Sequence, residues 1–262
     1  MFNLTPTVRL LLFVNIGVFL LTSSLSPELV NRFALHSVLS DQFSPLQFLS
    51  HMFMHAGFNH IFNNMLGLII FGPLLEQFWG PRRFMTFYLL TGLGAAALYS
   101  GVNYYELHGL TEAFNLYKAN PTNGEFLGFI NQYAPSIYDP IEPFIQKFDA
   151  APTNPTYIEQ GVRLLTGYVT RQLDTPMVGA SGAIFGVIMA YGLLFPNTEL
   201  RFLFLPVAIK AKYLVGAYAI WEVYSGIYRA QTDGVAHFAH IGGMLFAYII
   251  IKVWGSQRKT FY

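Results

Sequence analysis

The chain contains no cysteine among its 262 residues. Disulfides, thiolate metal sites and a cysteine nucleophile are therefore excluded, and the redox compartment is left open. Charge is the second scarcity. Only 11% of residues are Asp, Glu, Lys or Arg, against about 25% in an ordinary soluble domain, too few to cover a water-facing surface. The net charge of +1 gives no basic excess of the kind that attracts nucleic acid, so no nucleic-acid partner is expected. Internal repeats and low-complexity tracts are also lacking.

What is present is apolar. Hydrophobic residues make up 53% and aromatic residues 17% of the chain, and several mostly apolar stretches reach the roughly 18 residues that mark a membrane helix. The sequence is that of an integral, multi-pass, all-α membrane protein embedded in the lipid bilayer. Six apolar segments run over about 8–24, 57–79, 83–104, 177–195, 206–228 and 236–254. The first, Leu10 to Thr22, has no small-x-small cleavage site after it and is read as a retained span rather than a signal peptide.

Between the third and fourth segments lies an insert, 104–175, rich in Pro, Asn, Thr and Tyr and holding eight of the fourteen acidic residues. Glu159 to Leu173 has the pattern of an amphipathic helix. With six spans, Arg9, Arg82, Arg83, Arg201, Lys210, Lys212, Lys252, Arg258 and Lys259 fall on one side. Arg32, Lys118, Lys147, Arg163, Arg171 and Arg229 fall on the other, in longer loops. The bias in the short loops predicts cytoplasmic termini and an external insert; the expected location is a bacterial inner (plasma) membrane.

Polar residues in such segments are expensive and point to function. The second segment opens with "HAGFNHIFNNMLGL" (His55, His60, Asn63, Asn64), the fourth with "GASG" (Ser181), the sixth with "AHFAHIGG" (His237, His240). These three segments cross in the same direction. His60, Ser181 and His240 each sit about one turn past a predicted start, hence within roughly 5–8 Å of the external helix ends. His60 and Asn64, four apart, share a face. Gly182 with Gly186, and Gly243 with Ala247, are small-xxx-small pairs that let the fourth and sixth helices approach closely, as a serine–histidine hydrogen bond requires. Phe185, one turn below Ser181, is positioned to pack on the imidazole.

Taken singly, each residue also has a structural reading: a serine bonded to its own backbone, a histidine at the interface, an asparagine or glycine that packs helices. Depth, side and spacing together favour chemistry for Ser181, His240, His60 and Asn64. His51, His55 and His237 stay open, as hydrogen-bonding supports or loop anchors.

The motifs resemble the rhomboid family of intramembrane serine proteases. The match comprises Gly179-Ala180-Ser181-Gly182, Ala239-His240 followed by Gly243, and His55 with His60-xxx-Asn64. Glu76 of "LLEQFWG" extends it. The resemblance covers the membrane core as a single domain over 1–262, but not the insert. No Trp-Arg pair occurs in 23–50, where many relatives carry one. The resemblance implies a six-helix bundle and a Ser181–His240 dyad without an acidic third member. It further implies an oxyanion site from the Ser181 N–H, His60 and Asn64, with Phe185, Gly179, Gly182, Gly243 and His55 in support. Substrates would be transmembrane helices of single-span proteins, cut near the outer boundary with neither cofactor nor metal. No Asp or Glu stands at helical spacing from His240, in keeping with a dyad. Two other readings remain. One is a transporter or metal-handling protein using His51, His55, His60, His237 and His240, although "HMFMH" lacks the glutamate of a metalloprotease motif. The other is an inactive relative that binds membrane helices. The aromatic fifth segment, with Tyr213, Tyr218, Trp221 and Tyr224, is a candidate substrate gate.

Overall fold

The computed structural model describes residues 4–24, 26, 28–201, 208–228 and 235–256. The start of the fifth predicted segment at 206–207, and Arg229, Arg258 and Lys259 of the orientation argument, lie outside these residues. The elements in order are α1 (Pro6–Ser24), α2 (Glu28–Phe33), α3 (Gln47–Ser50) and a 3₁₀ turn at His51–Phe53, followed by α4 (Phe58–Trp79) and α5 (Pro81–Ala119). Then come α6 (Asn123–Tyr133), α7 (Tyr138–Ala150), α8 (Pro155–Asp174), α9 (Ser181–Leu194), α10 (Ala211–Tyr228) and α11 (His237–Ser256). A two-stranded antiparallel ribbon, Glu199–Leu200 with Ile209–Lys210, precedes α10.

The chain divides into two compact units: Met1–Leu35, Ser44–Gly101 and Pro176–Tyr262 form the first, His36–Phe43 and Val102–Thr175 the second. Helix α5 begins in the first and ends in the second.

In the first unit, α1, α4, α5 and α11 are long and apolar enough to cross a membrane. Six helices coincide with the six predicted segments, yet two of them differ from that description. Helix α10 has 18 residues interrupted by Lys212, Glu222 and four tyrosines. Helix α9 has 14 residues, about 21 Å at 1.5 Å per residue, well short of a hydrocarbon layer of about 30 Å. The fourth segment was predicted to be helical from 177. Instead, Met177 bridges Leu35 in an antiparallel pair and Gly179 takes φ +122°, a backbone state closed to most side chains. The helix therefore starts at Ser181 itself, not a turn earlier.

Helix α9 is central: Gly182, Ala183, Ile184, Gly186, Val187, Ile188, Ala190, Tyr191 and Gly192 are all buried, as expected for a helix apolar on every side. It packs against α11, α4 and α10. A methyl group on Gly243 would run into the carbonyl of Gly182, so this pair sets the α9–α11 approach. Gly186 serves another neighbour. A methyl there would lie 2.7 Å from Thr91 Cβ of α5, which corrects the expectation that it helps seat α11. Many outward-facing positions are apolar, including Phe13, Leu20, Ile220 and Ile227, which suits contact with lipid.

Glu76 ties the ends of two helices together. Its carboxylate, 2% exposed, accepts from the Thr7 and Val8 backbone N–H groups at 2.8 and 2.9 Å and from the Thr5 hydroxyl. It thereby fills donors that the first turn of α1 leaves free, at the positive end of that helix.

The second unit is built differently. Thr122 accepts from the Glu125 N–H at 3.2 Å and starts α6. Asn154 accepts from Thr156 N–H at 3.0 Å, with Pro155 in the first turn of α8. Helix α8 contains the amphipathic stretch 159–173 read from the sequence. The core is aromatic: Phe126 meets Tyr117, Phe144 and Phe148 with ring centroids 5.9, 5.5 and 5.9 Å away. Leu165, Ile130 and Val169 close it.

Candidate active site

Ser181 is the first residue of α9, so its N–H belongs to the group that a helix leaves without an internal partner. Across from it, His240 lies in the first turn of α11, 8% exposed. Ser181 Oγ and His240 Nε2 are 2.9 Å apart. The imidazole is sandwiched on one face by Phe185, with centroids 4.1 Å apart and planes at 14°, and Tyr218 stands edge-on to Phe185 at 6.0 Å. The contact between Gly182 and Gly243 described above brings the two helices near enough for this pair to form.

His60 and Asn64 approach from α4. A Cβ on Gly179 would lie 2.6 Å from His60 Nε2 and 3.7 Å from Asn64 Nδ2. Both side chains thus converge on the glycine two residues before Ser181, and only glycine leaves them room. Asn64 is 5% exposed, and its Nδ2 has no hydrogen-bond partner among the described residues. A buried amide donor without a partner is costly in a folded protein, and it is the kind of group that serves a developing negative charge.

The segment before α4 holds His51 and His55. His51 Nδ1 donates to the Gln47 carbonyl at 2.9 Å, and the His51 carbonyl accepts from Gly179 N–H at 2.9 Å. His51 thus anchors the extended strand that leads into Ser181. Burial keeps it neutral, lowering its pKa to about 4. His55 packs edge-on to His60 with centroids 5.2 Å apart. Burial, helped by the neighbouring His60, also lowers its pKa to about 4.

Glu222 is not among the residues that spacing along the sequence singles out. No acidic residue stands at helical spacing from His240 along α11, but one reaches it from α10. Glu222 Oε2 lies 2.9 Å from His240 Nδ1 and 2.7 Å from His237 Nδ1, with Glu222 and His237 only 4% and 3% exposed. The contact joins α10 to α11 across 18 positions, beyond any spacing along one helix. A signal was nonetheless available, because Glu222 is an acidic residue inside an apolar segment. The three ligand atoms lie within 4.8 Å of one another, a cluster compact enough for one divalent cation.

Helical architecture and polar residues buried on apolar helices, among them a serine hydrogen-bonded to a histidine, describe a multi-pass integral membrane protein. The Rhomboid domain family model matches residues 42–114 and 156–257. This chain belongs to the rhomboid family. It is also 48% identical over 52 residues to RHOMBOID-like protein 2 of Arabidopsis thaliana, a stretch covering 20% of this chain and 16% of that relative.

Proposed function

We propose that this protein is an intramembrane serine endopeptidase in which Ser181 is the nucleophile and His240 the general base. The observation that carries the reading is the 2.9 Å contact between Ser181 Oγ and His240 Nε2 at the start of α9. His240 takes the hydroxyl proton as Ser181 attacks the scissile carbonyl, then returns it to the leaving amine. The oxyanion is held by the Ser181 N–H, His60 and the buried Asn64 amide. The dipole of α9, positive at the end where Ser181 sits, favours the same charge.

The shortness of α9 supports the topology of the reaction. A 14-residue helix entered from an extended segment lets its first residue sit below the membrane surface, where irregular backbone is tolerated only if protein or a water-filled cavity surrounds it. We assign the termini to the cytoplasm and the insert to the outside of a plasma membrane, of bacterial type. Substrates are single-span membrane proteins, cut near the outer boundary where a glycine or other small residue lets the backbone leave its helix.

The test is cleavage of a panel of single-span substrates by protein reconstituted in liposomes, with and without chelator. Wild type cleaves in both arms, and Ser181→Ala and His240→Ala fall to background. Asn64→Ala loses about 10²–10³ in rate, the usual effect of removing one oxyanion donor. Undiminished cleavage by Ser181→Ala and Asn64→Ala removes the assignment. Activity that vanishes with chelator favours a metal-handling role, for which the Glu222, His237 and His240 cluster is the supporting observation.

A further inference from the structure

We infer that Glu222 is a positioning residue for the reaction, fixing the tautomer of His240, and that His237 in turn fixes Glu222. The inference rests on the serine–histidine reading above. Two imidazole Nδ1 atoms, of His240 at 2.9 Å and of His237 at 2.7 Å, face one carboxylate oxygen, Glu222 Oε2. An ionised carboxylate has no proton to donate and only accepts. Each Nδ1 therefore carries its proton toward Oε2. For His240 this leaves Nε2 bare, and its lone pair faces Ser181 Oγ at 2.9 Å. That is the one neutral tautomer able to remove the serine proton. With the other tautomer, Nε2–H would point at the hydroxyl and the first step could not begin.

The carboxylate has a second effect. When His240 accepts the serine proton it becomes an imidazolium in a buried site, where an isolated charge is strongly disfavoured. Glu222, 4% exposed, offsets that charge at hydrogen-bond distance, in surroundings where the attraction exceeds its value in water. His237, 3% exposed, donates to the same oxygen and restricts the glutamate rotamer. Phe185 closes a face of the His240 ring. The imidazole is thus constrained on its face and at both nitrogens.

A purely structural alternative is that Glu222 and His237 only staple α10 to α11. The two roles separate in a set of variants measured together: Ser181→Ala, Glu222→Gln, Glu222→Asp and His237→Gln. Each is assayed for kcat and KM on a single-span substrate in liposomes, for the rate of Ser181 labelling by a fluorophosphonate, and for thermal unfolding. The glutamine amide presents a donor as readily as an acceptor, so it no longer selects the tautomer. Glu222→Gln should lower kcat by about 10²-fold, within the range of general-base effects, with KM within about threefold. The labelling rate should fall in parallel, while the unfolding midpoint stays close to wild type. Glu222→Asp should recover at least a tenth of the lost rate, and His237→Gln should lose less than Glu222→Gln.

A Glu222→Gln protein that cleaves and labels at the wild-type rate, while Ser181→Ala is inactive, overturns this inference and leaves the protease reading standing. A loss of rate that tracks a lowered unfolding midpoint and is not recovered by Glu222→Asp also overturns it, in favour of the staple. Wild-type activity abolished by chelator and restored by zinc assigns the three groups to a cation, which overturns it as well. Undiminished cleavage and labelling in Ser181→Ala overturns the protease reading and this inference together.

Discussion

The two units of the chain bury similar helices by opposite means. In the first, Gly182 and Gly243 bring the backbones of α9 and α11 almost into contact, and Ser181 meets His240 across these two helices. In the second, α6, α7 and α8 are amphipathic and meet through large rings, Phe126 among Tyr117, Phe144 and Phe148. Small residues in an apolar environment leave helix positions free to carry chemistry. Aromatic rings fill most of the second unit's interior, and polar groups there pair with one another, Ser40 with Asp174 and Asn123 with Asp149. The first unit thus carries the candidate site beside its core, and the second is built on an aromatic core.

The contrast can be broken first at Gly243. Any Cβ there meets the Gly182 carbonyl, a backbone atom that cannot rotate away, so Gly243→Val should exceed the usual 1–3 kcal/mol of overpacking. The expected outcome is little monodisperse protein by size-exclusion chromatography, and no cleavage from what survives. A smaller effect on activity is expected from the second unit. Phe148 is fully buried, and Phe148→Ala should cost about 3–5 kcal/mol. This should appear as faster limited proteolysis within 102–175, with kcat on a membrane substrate within twofold of wild type. A parallel loss of kcat would make the aromatic core part of the catalytic apparatus and remove the contrast.

The smallest effect concerns pH. His51 and His55 are neutral in the folded protein, with pKa values lowered to about 4, whereas the unfolded chain protonates near 6.5. The unfolded state therefore binds more protons between these values, and stability is lost as pH falls from about 6.5 toward 4. Unfolding midpoints measured in detergent at pH 7.5 and pH 5 should differ, and His51→Gln should narrow the difference. An unchanged midpoint across that interval would show that these rings titrate freely.

Much of the site could be read from the chain because its residues are out of place there. Ser181, His60, Asn64 and His240 interrupt apolar segments, and their motifs fall in order on alternate helices. Glu222 interrupts one too, but its partners are 15 and 18 positions away on α11, so spacing along a helix could not reveal them. The start of α9 was hidden for another reason. Apolarity continues from Met177 through Gly182, and only the backbone of Gly179, at φ +122°, separates the extended segment from the helix. In the insert outside 159–173, the sequence left the secondary structure open, although its Asn and Thr residues include helix caps. Thr122 with Glu125, and Asn154 before Pro155, mark the starts of α6 and α8 and carried the readable signal.

The most direct test of the central claim needs no substrate. Protein in liposomes is exposed to a fluorophosphonate, digested, and the modified peptide identified by mass spectrometry, for wild type and His240→Ala side by side. The account predicts a single adduct on Ser181 in wild type and little or none in His240→Ala. Equal labelling of the two proteins, or an adduct on another serine alone, would contradict it.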